Sequence, residues 1–507
     1  MMRSHARMER WAIAGFGSAT AAAIAGPVVA TRVHPALGVA VSLALLAIMP
    51  WSARALPAAL DGSWRRHRLR SLAWAVLATL GVLQMGGLSA FMADDQRQWG
   101  ATVPDPLSIH HQCLSAYVYA ADLQRHGVTN LYAAEHYPIF DPPGPTCRLV
   151  ETEVEGLAPW VADAYQYPPT FLLLPRAALA LTGSFASIRA WWFVLQALAL
   201  LVCAVRLAVW LGGREGLVLG LMIPAVLASL ETLFNLQFGQ FHAAAMMLAC
   251  ASMVMFHGRR AALGGALLAA AMLSKLFPAI LLVVLLARRD WRALAWTSVF
   301  VVVFALLGLV VLGSAPYTAF FSYQVPRMVS GAAFHFTHEG AHAVFLASRN
   351  FSIVALTEKL RLLGATGGVL TAAAMLPWLY TAALVVIAAL TARGAQTRTG
   401  LLLTWLALLN LAALRSPMAP SAYVLAPVLW MLALLATRVQ GRSAGFALAA
   451  LWIVVVGPPP LPERVDLVVN LVCQLVVIGL NAMLLLKFTP PEIRLEPGSA
   501  HLLASRR

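Results

Sequence analysis

Four short polar stretches interrupt an otherwise apolar chain, and their residue types suit a phosphorylated lipid-like ligand. They are Tyr165-Gln166-Tyr167-Pro168-Pro169, then Asn235-Leu236-Gln237-Phe238-Gly239-Gln240 with His242 just after. Lys275 follows, ahead of Phe277 and Pro278, and Arg415-Ser416-Pro417 closes a later apolar run. Asn and Gln in such places cap helices or bond between helices as readily as they meet a ligand. Lys275 differs. Its neighbours are apolar on both sides, and an ammonium held in a bilayer is costly without a task. An anionic partner such as a lipid phosphate would satisfy it.

A second kind of chemistry is suggested by His338-Glu339-Gly340-Ala341-His342, which fits the HExxH pattern of zinc hydrolases. Zinc needs both histidines, here His338 and His342, on one helical face together with a third ligand. Gly340 weakens a helix at that point, and no later residue stands at a convincing spacing. Other chemistries lack their signatures. The chain has no GxxxxGK[ST] phosphate loop and no GxGxxG dinucleotide turn. Gly212-Gly213-Arg214-Glu215-Gly216 reads only as a tight connection. No cofactor is expected.

The elements that must position these residues are membrane helices. Hydrophobic residues make up 60% of the 507 positions and charged residues 11%, and the mean hydropathy is +0.77. Such a chain could not cover itself with polar surface as a soluble protein. The net charge of +15 does not point to nucleic acid, because the basic residues form no stripe with interleaved aromatics. They fall instead in short runs between apolar segments: Arg54 to Arg70, Arg259-Arg260, Arg288 to Arg292, Arg393 to Arg398, and Arg438 to Arg442. That is the positive-inside pattern, and each run is expected to be a cytoplasmic loop.

The expected spans are residues 11–30, 35–51, 71–92, 188–211, 216–234, 238–256, 261–274, 276–288, 291–313, 367–391, 399–415, 420–437, 444–457 and 465–487. The fold class is therefore an all-α polytopic membrane protein of about 12–14 transmembrane helices. Two long extracytoplasmic loops, 93–187 and 314–366, carry the acidic and histidine-rich stretches. Pro168 to Leu181 is too short for a span and is read as a surface or re-entrant helix. Residues 1–70 form an N-terminal membrane hairpin, or a signal or anchor segment, followed by a basic cytoplasmic loop. Residues 71–430 form the main membrane module, and residues 431–507 the last spans and a cytoplasmic tail. Cys203, Cys250 and Cys473 lie in apolar runs and read as inert. Cys113 and Cys147 share the first long loop, where a disulfide would form if it faces an oxidising compartment.

The polar stretches, in this order, resemble glycosyltransferase family 87, polytopic enzymes of the GT-C class that use polyprenyl-phosphate sugars. The resemblance rests on Tyr167-Pro168-Pro169, Phe238-Gly239-Gln240, Lys275-Leu276-Phe277-Pro278, Arg288-Arg289-Asp290-Trp291 and Ser416-Pro417. Tyr323-Gln324-Val325-Pro326 and Asn350-Phe351-Ser352 resemble the second outer loop of that family. The likeness covers roughly residues 93–430. It implies a bundle of that class in the plasma membrane, moving a pentose or hexose, mannosyl-like above all, on the non-cytoplasmic face. The implied partners are a polyprenyl-phosphate sugar, a glycan or lipid acceptor and the membrane lipids. Lys275, Arg327, His335, His338 and Arg349 would then meet the donor phosphate, and Tyr167, Gln240, His242 and Arg415 would line the substrate groove. Two readings from other classes are a lipid or solute transporter and the zinc hydrolase. A transporter needs a polar path to both faces, yet the cytoplasmic halves of the spans are nearly free of polar residues.

One departure from the family pattern matters. Members carry a catalytic Asp early in the first loop, and counting back from Leu131-Tyr132 by the family spacing lands on Cys113. An acceptor hydroxyl must lose its proton as it attacks the anomeric carbon, so a base is needed within reach. Asp105, His110 and His111 lie just upstream. Asp122 is close as well, although on a helical stretch it reads more naturally as a solvated charge.

Overall fold

The computed structural model describes residues 2–56, 68–94, 96, 111–137, 152–157, 160–330, 332–333, 343–436 and 461–487. The chain is a multi-helix bundle. Its helices are α1 (Met2–Arg32), α2 (Pro35–Ala47), α3 (Met49–Ala55), α4 (Arg68–Ala93), α5 (Cys113–Arg125), α6 (Leu173–Leu181), α7 (Phe185–Leu211), α8 (Gly213–Leu227), α9 (Leu230–Gln237), α10 (His242–His257) and α11 (Ala261–Ser274). There follow α12 (Ile280–Arg288), α13 (Trp291–Leu312), α14 (Ala315–Ala319), α15 (Val325–Ser330), α16 (Ala343–Arg349), α17 (Ile353–Leu362), α18 (Gly368–Thr391), α19 (Arg398–Ala413), α20 (Ser421–Ala436) and α21 (Glu463–Lys487).

Among the described residues, seven helices are long and apolar enough to cross a bilayer: Glu9–Arg32, Pro35–Arg54, Trp74–Ala93, Phe185–Leu211, Trp291–Leu312, Gly368–Thr391 and Glu463–Lys487. The span expected over 216–234 is broken: α8 and α9 meet at 63°. Ser229 takes an extended backbone there, and its hydroxyl accepts the Thr232 N–H, starting α9 as a new helix. The shorter apolar helices α10, α11 and α19 hold 16, 14 and 16 residues. At about 1.5 Å rise per residue each is shorter than the hydrocarbon core is thick. They are tolerated because they pack inside the bundle, where α19 is buried from Thr399 to Ala413. The 3-10 turn Pro169–Leu172 and α6 together reach only Leu181. The expected span 444–457 lies outside the described residues.

The two ends of the bundle differ. At one end the connections are basic: Arg398 donates to the Trp210 carbonyl at 2.6 Å, Thr399 bonds Glu215, and Arg288 and Arg398 both stand near His257. At the other end the first long loop folds onto the helices instead of lying in solvent. Its helix α5 is buried from Cys113 to Leu123. A short parallel strand pair, β1 (His111–Gln112) and β2 (Val161–Ala162), joins the two ends of that loop.

Arg189 locks the folded loop to the membrane helices. It is buried near the start of α7, and its Nε donates to the Met92 carbonyl at 3.1 Å while Nη2 donates to the Phe91 carbonyl. Its guanidinium also lies 4.2 Å from the Trp160 ring. The last carbonyls of α4 need partners, and a cation complements that end of the helix dipole. Arg189→Met is therefore expected to destabilise the protein by about 3 kcal/mol, the scale of lost charge-assisted hydrogen bonds. Thermal unfolding in detergent would show it as a lower Tm; an unchanged Tm would remove Arg189 from this role.

Candidate active site

The site begins where α5 docks on the turn between α9 and α10. Gln112 Nε2 donates to the Gln237 carbonyl at 2.8 Å, and the Leu114 N–H donates to the Phe238 carbonyl at 3.2 Å. Gly239 has φ +61°, and a Cβ there would stand 2.7 Å from Leu114 Cβ, so the turn needs glycine on both counts. Trp192 Nε1 fixes the turn from the side, donating to the Gly239 carbonyl at 2.9 Å.

This docking gathers one polar cluster. Gln240 is buried, and its Oε1 accepts from the Tyr117 hydroxyl at 2.8 Å, while its Nε2 donates to Cys113 Sγ at 3.4 Å and the Tyr167 hydroxyl at 3.3 Å. Lys275 Nζ donates to the Tyr167 hydroxyl at 3.1 Å and lies 4.2 Å from that ring. Cys113 Sγ is 3.4 Å from the Tyr423 hydroxyl. The His242 ring stacks on Phe277 and Tyr423, with centroids 4.6 and 5.7 Å away. Burial raises the pKa of Tyr117 and Tyr167, so both phenols keep their protons near neutral pH. Burial also raises the Cys113 thiol, and the Asp163 carboxylate beside it adds to the shift. The cluster thus offers an ammonium and neutral O–H donors to an anionic ligand.

Lys275 is placed by the break between α11 and the following 3-10 turn Phe277–Ala279. Its backbone is extended, which ends α11, and Pro278 begins the return at once. Two apolar helices therefore carry one cation to the end of the bundle where α5 docks. An apolar groove is lined by Leu200, Met246, Leu406 and Trp430, with Asn235 and Tyr423 also on its wall. Both polar atoms of the Asn235 amide are buried without a hydrogen-bond partner among the described residues.

Of the residues singled out from the sequence, Tyr167, Gln240, His242 and Lys275 come together here. The others are engaged elsewhere. Arg327 donates to the Tyr323 hydroxyl at 2.7 Å and lies over that ring. Arg349 pairs with Asp466 at 3.1 Å, and Arg415 donates to Thr381 Oγ1 at 2.7 Å. Asp122 is buried rather than solvated, because α5 is covered on every face; Thr152 Oγ1 donates to its carboxylate at 2.9 Å. Asp105, His110, His335, His338 and His342 lie outside the described residues, as does the side chain of His111. Cys113 is a free thiol, so the disulfide considered for it is not formed; Cys147 lies outside the described residues. Among the described residues no three His, Cys, Asp or Glu side chains form a metal site.

Three members of the cluster were not picked from the sequence: Tyr117, Tyr423 and Asp163. Asp163 stands two residues before Tyr165-Gln166-Tyr167, and that nearness was the one available signal.

The helical bundle thus carries a cationic, phenol-rich cluster at one end, and Tyr423 belongs both to that cluster and to the wall of an apolar groove. The sequence matches the profile of glycosyltransferase family 87 over residues 165–417. The chain belongs to that family and is a membrane glycosyltransferase. The match begins at Tyr165 and ends at Pro417, so it takes in Tyr167, Gln240 and Lys275 but not Cys113. No curated protein and no solved structure matches the chain.

Proposed function

We propose that the chain moves a sugar, most simply a mannosyl-like hexose or a pentose, from a polyprenyl-phosphate donor to a glycan or lipid acceptor. The observation that carries this reading is Lys275, a cation delivered by two apolar helices to a cluster of O–H donors. A sugar phosphate on a lipid matches both halves of that arrangement. Its phosphate meets Lys275 and the phenols, and its tail fits the groove lined by Leu200, Leu406 and Trp430. As the anomeric C–O bond breaks, charge grows on the leaving phosphate, and fixed donors stabilise it more in the transition state than in the bound donor.

The direct test incubates purified protein with a panel of polyprenyl-phosphate sugars and, separately, nucleotide sugars. Transfer from a member of the first panel is expected. Transfer from nucleotide sugars alone would remove the lipid-phosphate donor from the proposal.

The active end should face away from the cytoplasm of the plasma membrane, since the basic connections gather at the opposite end. Single cysteines at Glu153 and Arg393, both exposed, separate the two ends. A membrane-impermeant thiol reagent applied to intact cells should label the first position and not the second. Labelling at position 393 would invert the orientation.

A further inference from the structure

We propose that Asp163 is the general base of this transferase, standing in space beside Cys113 although fifty positions along the chain. This rests on the transferase reading above. The placement comes from the backbone. In the parallel pair, His111 is opposite Val161 and Gln112 is opposite Ala162. The residues that follow the two strands are Cys113 and Asp163, so the ladder delivers the carboxylate to the first residue of α5. The side chains meet there, with Asp163 hydrogen-bonded to the Cys113 thiol. The same carboxylate acts electrostatically on Tyr167, the residue whose hydroxyl Lys275 holds at 3.1 Å.

That location suits the reaction. The attacking hydroxyl and the leaving phosphate occupy opposite sides of one anomeric carbon, so the groups that serve them must stand within a few ångströms of a single sugar ring. Lys275 bonds Tyr167, and Asp163 bonds Cys113, which Gln240 links to Tyr167. Asp122 does not meet this requirement: it lies nine residues beyond Cys113 on the same helix, about 13 Å at 1.5 Å per residue. Asp163 is also only partly covered, so a substrate can reach it. Cys113, a neutral thiol, donates to the carboxylate and positions it. It cannot itself serve as the base.

The Asp163 carboxylate takes the proton of the acceptor hydroxyl, whose oxygen lone pair forms the new bond to the anomeric carbon. The bond from that carbon to the phosphate oxygen breaks, and its electron pair leaves with the polyprenyl phosphate. The carboxylic acid then gives its proton to solvent, which resets the site.

The test compares wild type, Asp163→Asn, Asp163→Glu and the transposed double variant Asp163→Asn with Cys113→Asp. Turnover, donor binding and the pH dependence of kcat/KM are measured on the folded full chain. Asp163→Asn is expected to lower kcat by about 10²-fold or more with donor binding unchanged. Asp163→Glu should keep part of the activity. The double variant, which puts a carboxylate at the neighbouring position, should regain about tenfold over Asp163→Asn. A structural role for Asp163 would give none of that recovery. Full activity in Asp163→Asn, or loss of donor binding in step with turnover, overturns the assignment and leaves the transferase reading standing. Wild-type protein that transfers sugar from no polyprenyl-phosphate donor overturns both.

Discussion

Lys275→Met should lower sugar transfer by about 10²- to 10³-fold, the loss that follows removal of one donor from a developing oxyanion, while the protein stays folded. The two halves of this expectation have different origins. Among the described residues the Lys275 side chain makes one hydrogen bond, to the Tyr167 hydroxyl, and one contact with that ring. A cation–π contact is worth about 0.5–2 kcal/mol, and methionine restores most of the side-chain volume. Removing an ammonium from between two apolar helices also relieves a desolvation cost. Tyr167 keeps Gln240 as a partner, so no buried hydroxyl is orphaned. Stability should therefore change little. Catalysis has no such substitute, because no other ammonium or guanidinium bonds to Tyr167, Gln240 or Cys113 among the described residues. Tyr167→Phe separates the two roles. It removes the hydroxyl and leaves the cation, and should cost about tenfold. Measuring kcat beside Tm decides the matter: a Lys275→Met variant with most of its activity would make Lys275 a packing residue of the hairpin.

The parts of this site that could be read from the sequence are those whose cost is local. A charge within an apolar run is conspicuous because the bilayer penalises it wherever the partners are, and Lys275 was visible for that reason. The long spans were visible because bilayer thickness sets their length. The break at Ser229 was not, since a capping serine in apolar sequence resembles any other interhelical serine. Asp163 and Tyr423 become important only through contacts between segments far apart in the chain. The strands that carry Asp163 to Cys113 are two residues each, too short to show any periodicity. Asp122 misled for a related reason. An acidic residue on a short loop helix suggests a wet face, but α5 is buried from Cys113 to Leu123, and Thr152, thirty residues on, donates to one oxygen of the Asp122 carboxylate. Arg349 likewise has its charge answered by Asp466, more than one hundred residues later.

Gly239→Ala should damage both stability and turnover, although the substitution adds one methyl group and removes no polar atom. Two costs act together. At φ +61° an L-residue pays about 1–2 kcal/mol for the left-handed conformation. The new Cβ would also stand 2.7 Å from Leu114 Cβ and 3.5 Å from Trp192 Cδ1. Both neighbours are fixed: the Leu114 N–H is bonded to the Phe238 carbonyl, and Trp192 Nε1 to the carbonyl of Gly239 itself. Forced overpacking of this kind costs a further 1–3 kcal/mol or so. The sum, about 2–5 kcal/mol, is a large share of the stability of a typical domain. Relief can come only by moving the first turn of α5 away from the α9–α10 connection. That motion separates Cys113 and Tyr117 from Gln240, whose side chain bonds both, and carries Asp163 away with the strand pair. Turnover should therefore fall even at temperatures where the variant is fully folded, by about tenfold or more for a displacement near 1 Å. A Gly239→Ala protein with wild-type Tm and wild-type kcat would mean that α5 does not dock on this turn in the active enzyme.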